Sequence, residues 1–147
     1  MILDSLLEFA DAGDGSQSAG TFLATNQIDM QVARDIGNGQ PMYLVIQADA
    51  AFASSGSATV QFRLRSDSSA AIHATTSTSH LDTGAEAYTV WAAGHTKVLA
   101  LPLEGNAYER FLGLQLIIGT ATTTAGTYSA FLTFDPTGWK SYADAVN

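Results

Sequence analysis

The sequence predicts an all-β domain built as an antiparallel β-sandwich, and three observations support this prediction. Apolar and polar side chains alternate over several short segments, which is typical of strands with one buried face. Turn-forming residues separate these segments, as in Gly37-Asn38-Gly39-Gln40-Pro41. No stretch between them has helical periodicity, which disfavours a βαβ fold. About seven or eight strands in two sheets is the expected count, and a jelly roll is one such arrangement.

The strands differ in how many of their faces are apolar. In the clearest one, Val60, Phe62 and Leu64 alternate with polar side chains, so one face lies in the core and the other in water. Residues 42–47 and 111–118 are apolar on both faces, which indicates a strand between the core and a second sheet or a partner. Further strands are predicted at residues 21–30, 72–78, 97–103 and 128–134.

Composition divides the chain into three segments. Residues 1–20 are predicted to be an N-terminal arm with a Gly-, Ser- and Asp-rich flexible hinge, residues 21–135 the sandwich, and residues 136–147 a tail. The apolar side chains of the arm either pack on their own domain or reach a neighbouring subunit; they are Ile2, Leu3, Leu6, Leu7 and Phe9. The tail contains Trp139 and Tyr142 and fits a short helix or a docked strap.

Charge and composition exclude several classes of function. The chain has 147 residues, enough for one domain with its own core, and no cysteine, so disulfides and thiolate metal sites are absent. A net charge of −8 disfavours nucleic-acid binding, which depends on a basic surface, and favours a basic partner. No apolar run is long enough for a membrane span, and the first residues lack the positive charge of a secretory signal. We expect a soluble protein made in the cytoplasm.

Residue patterns typical of catalysis or cofactor binding are missing. The histidines His73, His80 and His95 are too far apart in sequence to form a metal-binding motif by themselves, and the two-glycine loops lack the lysine and helix of a phosphate site. Acidic residues near turns, such as Glu104 and Glu109, are expected to bind backbone amides. We therefore expect no enzyme activity, no metal and no cofactor.

Two segments resemble the capsid cement, or decoration, proteins of tailed phages, of the type described from a short-tailed Bordetella phage. The resemblance covers most of the chain but not residues 73–94 or the tail after Pro136. Its first segment is Ile28-Asp29, Ala33-Arg34-Asp35-Ile36-Gly37-x-Gly39-x-Pro41-Met42-Tyr43-Leu44-Val45, Asp49-x-Ala51-Phe52 and Gly56-x-Ala58-Thr59-Val60. Its second segment is Lys97-Val98-Leu99, Glu109-Arg110-Phe111-Leu112 and Gly126-Thr127-Tyr128-Ser129-Ala130.

The resemblance implies a jelly-roll β-sandwich on the outer surface of the phage head. It also implies a non-enzymatic role, in which the protein bridges neighbouring copies of the major capsid protein and stabilises the shell. A homo-oligomer, either a dimer or a trimer, fits the surplus of apolar strand surface, because subunit contacts would cover part of that surface. Aromatic side chains are candidates for such contacts, with a place in the core as the alternative; they are Tyr43, Trp91, Tyr108, Trp139 and Tyr142.

Residues that contact a partner are predicted in three places: the arm, the Asn38-Gly39-Gln40 corner with nearby Tyr43, and the tail with Trp139 and Tyr142. Two other functions remain open at this point. A surface adhesion or carbohydrate-binding module of a virion would need an exposed aromatic platform, for which Trp91 and Tyr88 are candidates. A small hydrolase would need two carboxylates facing each other across a cleft.

Overall fold

Nine strands form two antiparallel sheets in the computed structural model, which describes residues 4–33, 40–102 and 108–136. Two short 3-10 helices, η1 (Ser5–Leu7) and η2 (Tyr88–Val90), accompany them. The strands are β1 (Glu8–Asp14), β2 (Gly20–Asp29), β3 (Tyr43–Ser54), β4 (Thr59–Asp67), β5 (Thr78–Asp82), β6 (Glu86–Ala87), β7 (Thr96–Ala100), β8 (Phe111–Gly119) and β9 (Thr123–Thr133).

The strand order is that of a jelly roll. The first sheet has the order β1-β9-β3-β7, and the second has β2-β8-β4-β5 with the short β6 paired to β4. The antiparallel pairs β1–β9, β2–β8, β3–β7 and β4–β5 are therefore nested along the chain, as in a long hairpin rolled into two sheets. The predicted antiparallel sandwich and its jelly-roll topology are both confirmed.

The core lies between the inner faces of the two sheets. Strand alternation gives it apolar side chains from both, such as Leu44 and Ile46 of β3 and Leu114 and Leu116 of β8. Aromatic rings cross it from sheet to sheet, because the Phe62 ring lies 4.9 Å from the rings of both Trp91 and Tyr128. Such edge contacts between rings add to the stability gained by burying their area.

The predicted arm and hinge at residues 1–20 is wrong for residues 8–14, which form β1. This strand pairs with β9, and its Phe9 side chain is 0% exposed and belongs to the core. The small residues that suggested a hinge have a packing role instead. A Cβ atom at Gly13 would stand 3.1 Å from the ring of Tyr128, so glycine allows that ring to pack on the strand.

The strand predicted at residues 72–78 is also wrong, because this segment belongs to a loop and β5 begins only at Thr78. The loop folds over the outer face of the second sheet. Ile72 is buried there against Gly113 of β8, where an added Cβ atom would collide with its Cδ1. The apolar outer face of β8 is thus covered at this point by the chain itself, and not by a partner.

Hydrogen bonds hold the same loop against the second sheet. Arg65 of β4 donates from Nη1 to the backbone oxygen of Ser77 at 2.9 Å and to its Oγ at 3.0 Å. The Asp67 carboxylate accepts the backbone N–H groups of Ser69 and His73 at 3.1 Å each. These backbone hydrogen bonds lower the pKa of Asp67, with that from His73 the strongest cause.

Candidate functional site

One end of the sandwich collects most of the described residues that were predicted to contact a partner. The strand pairings bring together the start of β1 at Glu8, the start of β3 at Tyr43 and the end of β9 at Thr133. The end of β2 at Asp29 lies at the same end, because Asp29 and Glu8 line one cavity. We call this the arm end, defined by those four residues. The turns β1–β2, β3–β4 and β8–β9 lie at the opposite end.

Large exposed apolar side chains are concentrated at the arm end. Within the described ranges five such side chains are exposed, and three of them follow or precede the strand termini of this end: Leu6 at 77%, Val32 at 57% and Phe134 at 46%. Of the other two, Val90 lies at the opposite end and Val98 within β7. Exposed apolar side chains gathered at one place are typical of a protein-binding surface.

A groove of about 700 Å³ opens at the arm end, between η1 and the last residues of β2. One wall is formed by residues 4–8 and the other by residues 26–29 and Gln31. The first wall has a fixed shape, because the Asp4 carboxylate caps η1 by accepting the backbone N–H of Leu6 at 2.9 Å. We call this space the η1–β2 groove.

The groove is acidic. Asp4, Glu8 and Asp29 line it, and no Lys or Arg is among its lining residues. The Asp29 carboxylate is already neutralised by Arg110, which donates from Nε at 2.9 Å and from Nη2 at 2.8 Å. These side-chain hydrogen bonds, helped by the backbone N–H of Gln31, lower the pKa of Asp29 to about 2. No described cation pairs with Asp4 or Glu8, whose carboxylates give the first wall its negative charge.

The structure separates the predicted contact residues into three groups. Leu6 is exposed at the groove, while Leu7 is half-buried and packs against the core. Gln40 is exposed and Tyr43 is half-buried, both at the arm end. Phe9 is a core residue and is not available to a partner. The remaining predicted contacts lie outside the described residues: Ile2, Leu3, Asn38, Trp139 and Tyr142.

Two of the aromatic candidates belong to the core. Trp91 is 0% exposed, and its ring lies between Phe62 and His95, with the Lys97 ammonium 5.8 Å from the ring centroid. Tyr108 is buried as well. An exposed sugar-binding platform built on Trp91 with Tyr88 is therefore absent.

A serine and a histidine are in contact, but in a buried setting. Ser66 Oγ lies 2.7 Å from His80 Nε2 and also accepts the backbone N–H of Glu109 at 3.1 Å. A catalytic serine must be reachable by substrate, whereas Ser66 is fully buried and the His80 ring stacks on Tyr108 with centroids 4.0 Å apart. Burial lowers the pKa of His80, and the nearby Glu109 carboxylate acts in the opposite direction. The contact joins β4 and β5 to the segment before β8.

The described part of the chain was also compared with the requirements of a metal site and of a membrane-spanning helix, and it meets neither. Within residues 4–33, 40–102 and 108–136, no group of three or more His, Asp or Glu side chains could hold a metal ion. No helix in the same ranges is long and apolar enough to cross a membrane.

Fold and surface together define a jelly-roll β-sandwich with an acidic groove and exposed apolar side chains at one end. The chain belongs to the Bbp16 family, whose family model matches residues 13–132. The family name indicates a protein of a Bordetella phage, in agreement with that part of the resemblance found in the sequence. The match also spans residues 73–94, where no recognisable motif was found. No curated protein matches the chain.

Proposed function

We propose that this protein is a capsid cement protein: it binds the outside of a tailed-phage head and stabilises the shell by bridging neighbouring copies of the major capsid protein. Membership of a phage-associated family supports a structural role in the virion. The observation on which the proposal chiefly rests is the arm end, where Leu6, Val32 and Phe134 are exposed next to the predicted contact segments.

Bridging can stabilise a shell without any single strong contact. A subunit that holds two capsid proteins makes its second contact intramolecularly, which can raise the overall affinity by roughly 10²–10⁴-fold. A homo-oligomer of the protein, a dimer or a trimer, would multiply the contacts again. No enzymatic step and no cofactor is part of this proposal.

The test uses purified phage heads from which the protein has been removed. Adding the protein back and sedimenting the heads should give a fixed ratio of copies to major capsid protein, close to stoichiometric. Only a handful of bound copies, or none on expanded heads, would contradict the proposal. The same preparation reports stabilisation, since heads with the protein should resist heat or osmotic shock better than heads without it.

Substitutions at the two ends of the sandwich test whether the arm end makes the contact. Leu6→Glu and Val32→Glu should each weaken head binding about 5- to 30-fold, the range expected for a well-placed interface side chain worth about 1–2 kcal/mol. Val90→Glu is the matched control, because Val90 is also exposed but lies at the opposite end. Equal losses for all three variants would mean that the arm end has no special role.

A further inference from the structure

Besides the two-residue β6, the sheets formed by the described residues have four edge strands, and three of them are protected against pairing with another chain. Edge strands are commonly protected by shortness, by charged side chains or by bulges. Strands β5 and β7 have five residues each, and β7 contains Lys97. Strand β1 has acidic residues at Glu8, Asp11 and Asp14 and two register shifts against β9.

The fourth edge strand, β2, lacks most of this protection. It has ten residues with no Lys, Arg or Pro, and its one charged residue is Asp29 at the end. A single register shift interrupts its pairing with β8 between Leu23 and Gln27, after which the register is continuous to Asp29. By length and composition, β2 is the described edge best suited to accept another strand.

The backbone at the end of β2 presents hydrogen-bonding groups outward. The Met30 N–H donates to the Arg110 oxygen at 2.9 Å, so the backbone N–H and C=O groups of Met30 point toward β8. Alternation along an antiparallel strand then turns the N–H and C=O groups of Gln27 and Asp29 away from β8, to the free edge. No backbone group of the described residues bonds them there.

The η1–β2 groove lies along this same stretch of free edge. Gln27 and Asp29 line it, and the acidic wall with Asp4 and Glu8 stands opposite. An extended segment in the groove would thus have backbone partners on one side and carboxylates on the other. The apolar side chains of Leu6 and Ile28 also line the groove and would contact such a segment.

We propose that the η1–β2 groove binds an extended segment of a partner polypeptide, which adds to the free edge of β2 as a further strand and directs a Lys or Arg side chain at Asp4 and Glu8. The inference rests on the proposed function, since the segment is assigned to the capsid shell. A second copy of this chain fits less well: its own β2 contains no cation, and each copy has a net charge of −8.

Proline at the free edge tests the strand addition. Gln27→Pro removes an outward N–H that β2 does not use for its own sheet, so the fold should persist while head binding falls at least 10-fold. Gln27→Ala removes the side-chain bond from Gln27 Nε2 to the Ala24 oxygen but keeps the outward N–H, so Gln27→Pro should bind heads at least 10-fold more weakly than Gln27→Ala. Val98→Pro, which places a proline on the free edge of β7 away from the arm end, should bind heads like the unaltered protein.

Hydrogen exchange of the unaltered protein gives an independent measurement that needs no proline variant. Binding to heads should slow amide exchange at Gln27 and Asp29. Glu8→Gln should weaken binding about 2- to 5-fold at low salt, whereas Asp11→Asn, outside the groove, should not.

The outcomes separate this inference from the proposed function. Normal head binding without slower exchange at Gln27 and Asp29, or undiminished binding by a folded Gln27→Pro variant, would overturn the strand addition and leave the cement function standing. Failure of the unaltered protein to bind heads would overturn both. Protection of the same amides in free protein that grows with protein concentration would identify a second copy as the occupant and overturn the assignment to the shell.

Discussion

At the scale of single residues, Tyr128 links the stability of the core to alkaline pH. Its side chain is buried beside the Phe62 ring, and burial, with a smaller contribution from the Asp14 carboxylate, raises its pKa to about 12. An unfolded tyrosine has a pKa of about 10, so the folded state favours the neutral phenol. The stabilisation is complete below about pH 10 and is lost as the pH rises toward about 12.

We predict that the protein loses about 2–3 kcal/mol of stability between pH 9 and pH 12 through Tyr128 alone. Tyr128→Phe should remove this part of the loss, because phenylalanine fills the same space without an ionisable group. Thermal unfolding measured at several alkaline pH values compares the variant with Tyr88→Phe, a half-buried control. An identical pH dependence in both variants would rule out Tyr128 as the source.

Two glycines show why the role of some residues is hard to predict from sequence. Gly126 has φ +133°, and a Cβ atom there would stand 2.8 Å from the Phe52 ring, so its role depends on a ring that lies far away in the chain. Gly13 is similar, since its partner Tyr128 is in β9. In sequence both residues look like turn or hinge formers, because the side chains that require them are distant.

At the scale of elements, the N-terminal segment has two roles, lining the groove and filling the core, and the change between them falls near the start of β1. Residues 4–8 line the groove, whereas Phe9 fills the core. A deletion of residues 1–6 should therefore weaken head binding with little loss of stability. A deletion of residues 1–9 should also cost about 3–5 kcal/mol, the range for removing a large buried side chain.

Thermal unfolding followed by circular dichroism checks this pair of deletions. For a chain of this length the longer deletion should lower Tm by roughly 6–20 °C, since each kcal/mol corresponds to about 2–4 °C. Equal melting of the two truncated proteins would show that β1 contributes nothing to the core.

Strands with one polar face were predictable, and strands covered by distant segments were not. The alternation around Phe62 gives β4 directly, because the partly exposed Gln61 and Arg63 alternate there with buried apolar side chains. In β8 both faces are apolar for two separate reasons: the inner face lies in the core, and the outer face is covered by the loop that contains Ile72. Cover by a distant segment leaves no periodic pattern in the sequence. The apolar outer face of β8 therefore suggests a partner, although the chain itself covers this face.

At the scale of the whole molecule, the arm end could be predicted only in part. The sequence named Leu6, Gln40 and Tyr43 as contact residues, and the fold brings all three to one end. Val32 and Phe134 were missed, because a single exposed apolar residue next to a strand looks like any other. The Asp29–Arg110 pair was missed too, since 81 residues separate its partners.

The proposed attachment to the shell should depend on salt because of the charge of the whole molecule. With a net charge of −8, the protein is attracted to a basic surface over a distance set by ionic strength. We predict that raising NaCl from about 50 mM to about 500 mM lowers the association rate constant with heads several-fold and changes the dissociation rate much less. Surface plasmon resonance on immobilised heads measures both rates, and an association rate independent of salt would show that charge has no part in docking.

The pairing of β1 with β9 has a consequence for how the chain is made. The first strand cannot find its partner until the ribosome has completed residue Thr133, which is about 6–24 s after it completes Asp14 at ordinary rates of bacterial synthesis. During that interval Phe9 is exposed on an unpaired strand. Glu8, Asp11 and Asp14 lie near Phe9 in the sequence. Charged residues beside an apolar one oppose aggregation of the unpaired strand with other nascent chains on the same messenger RNA.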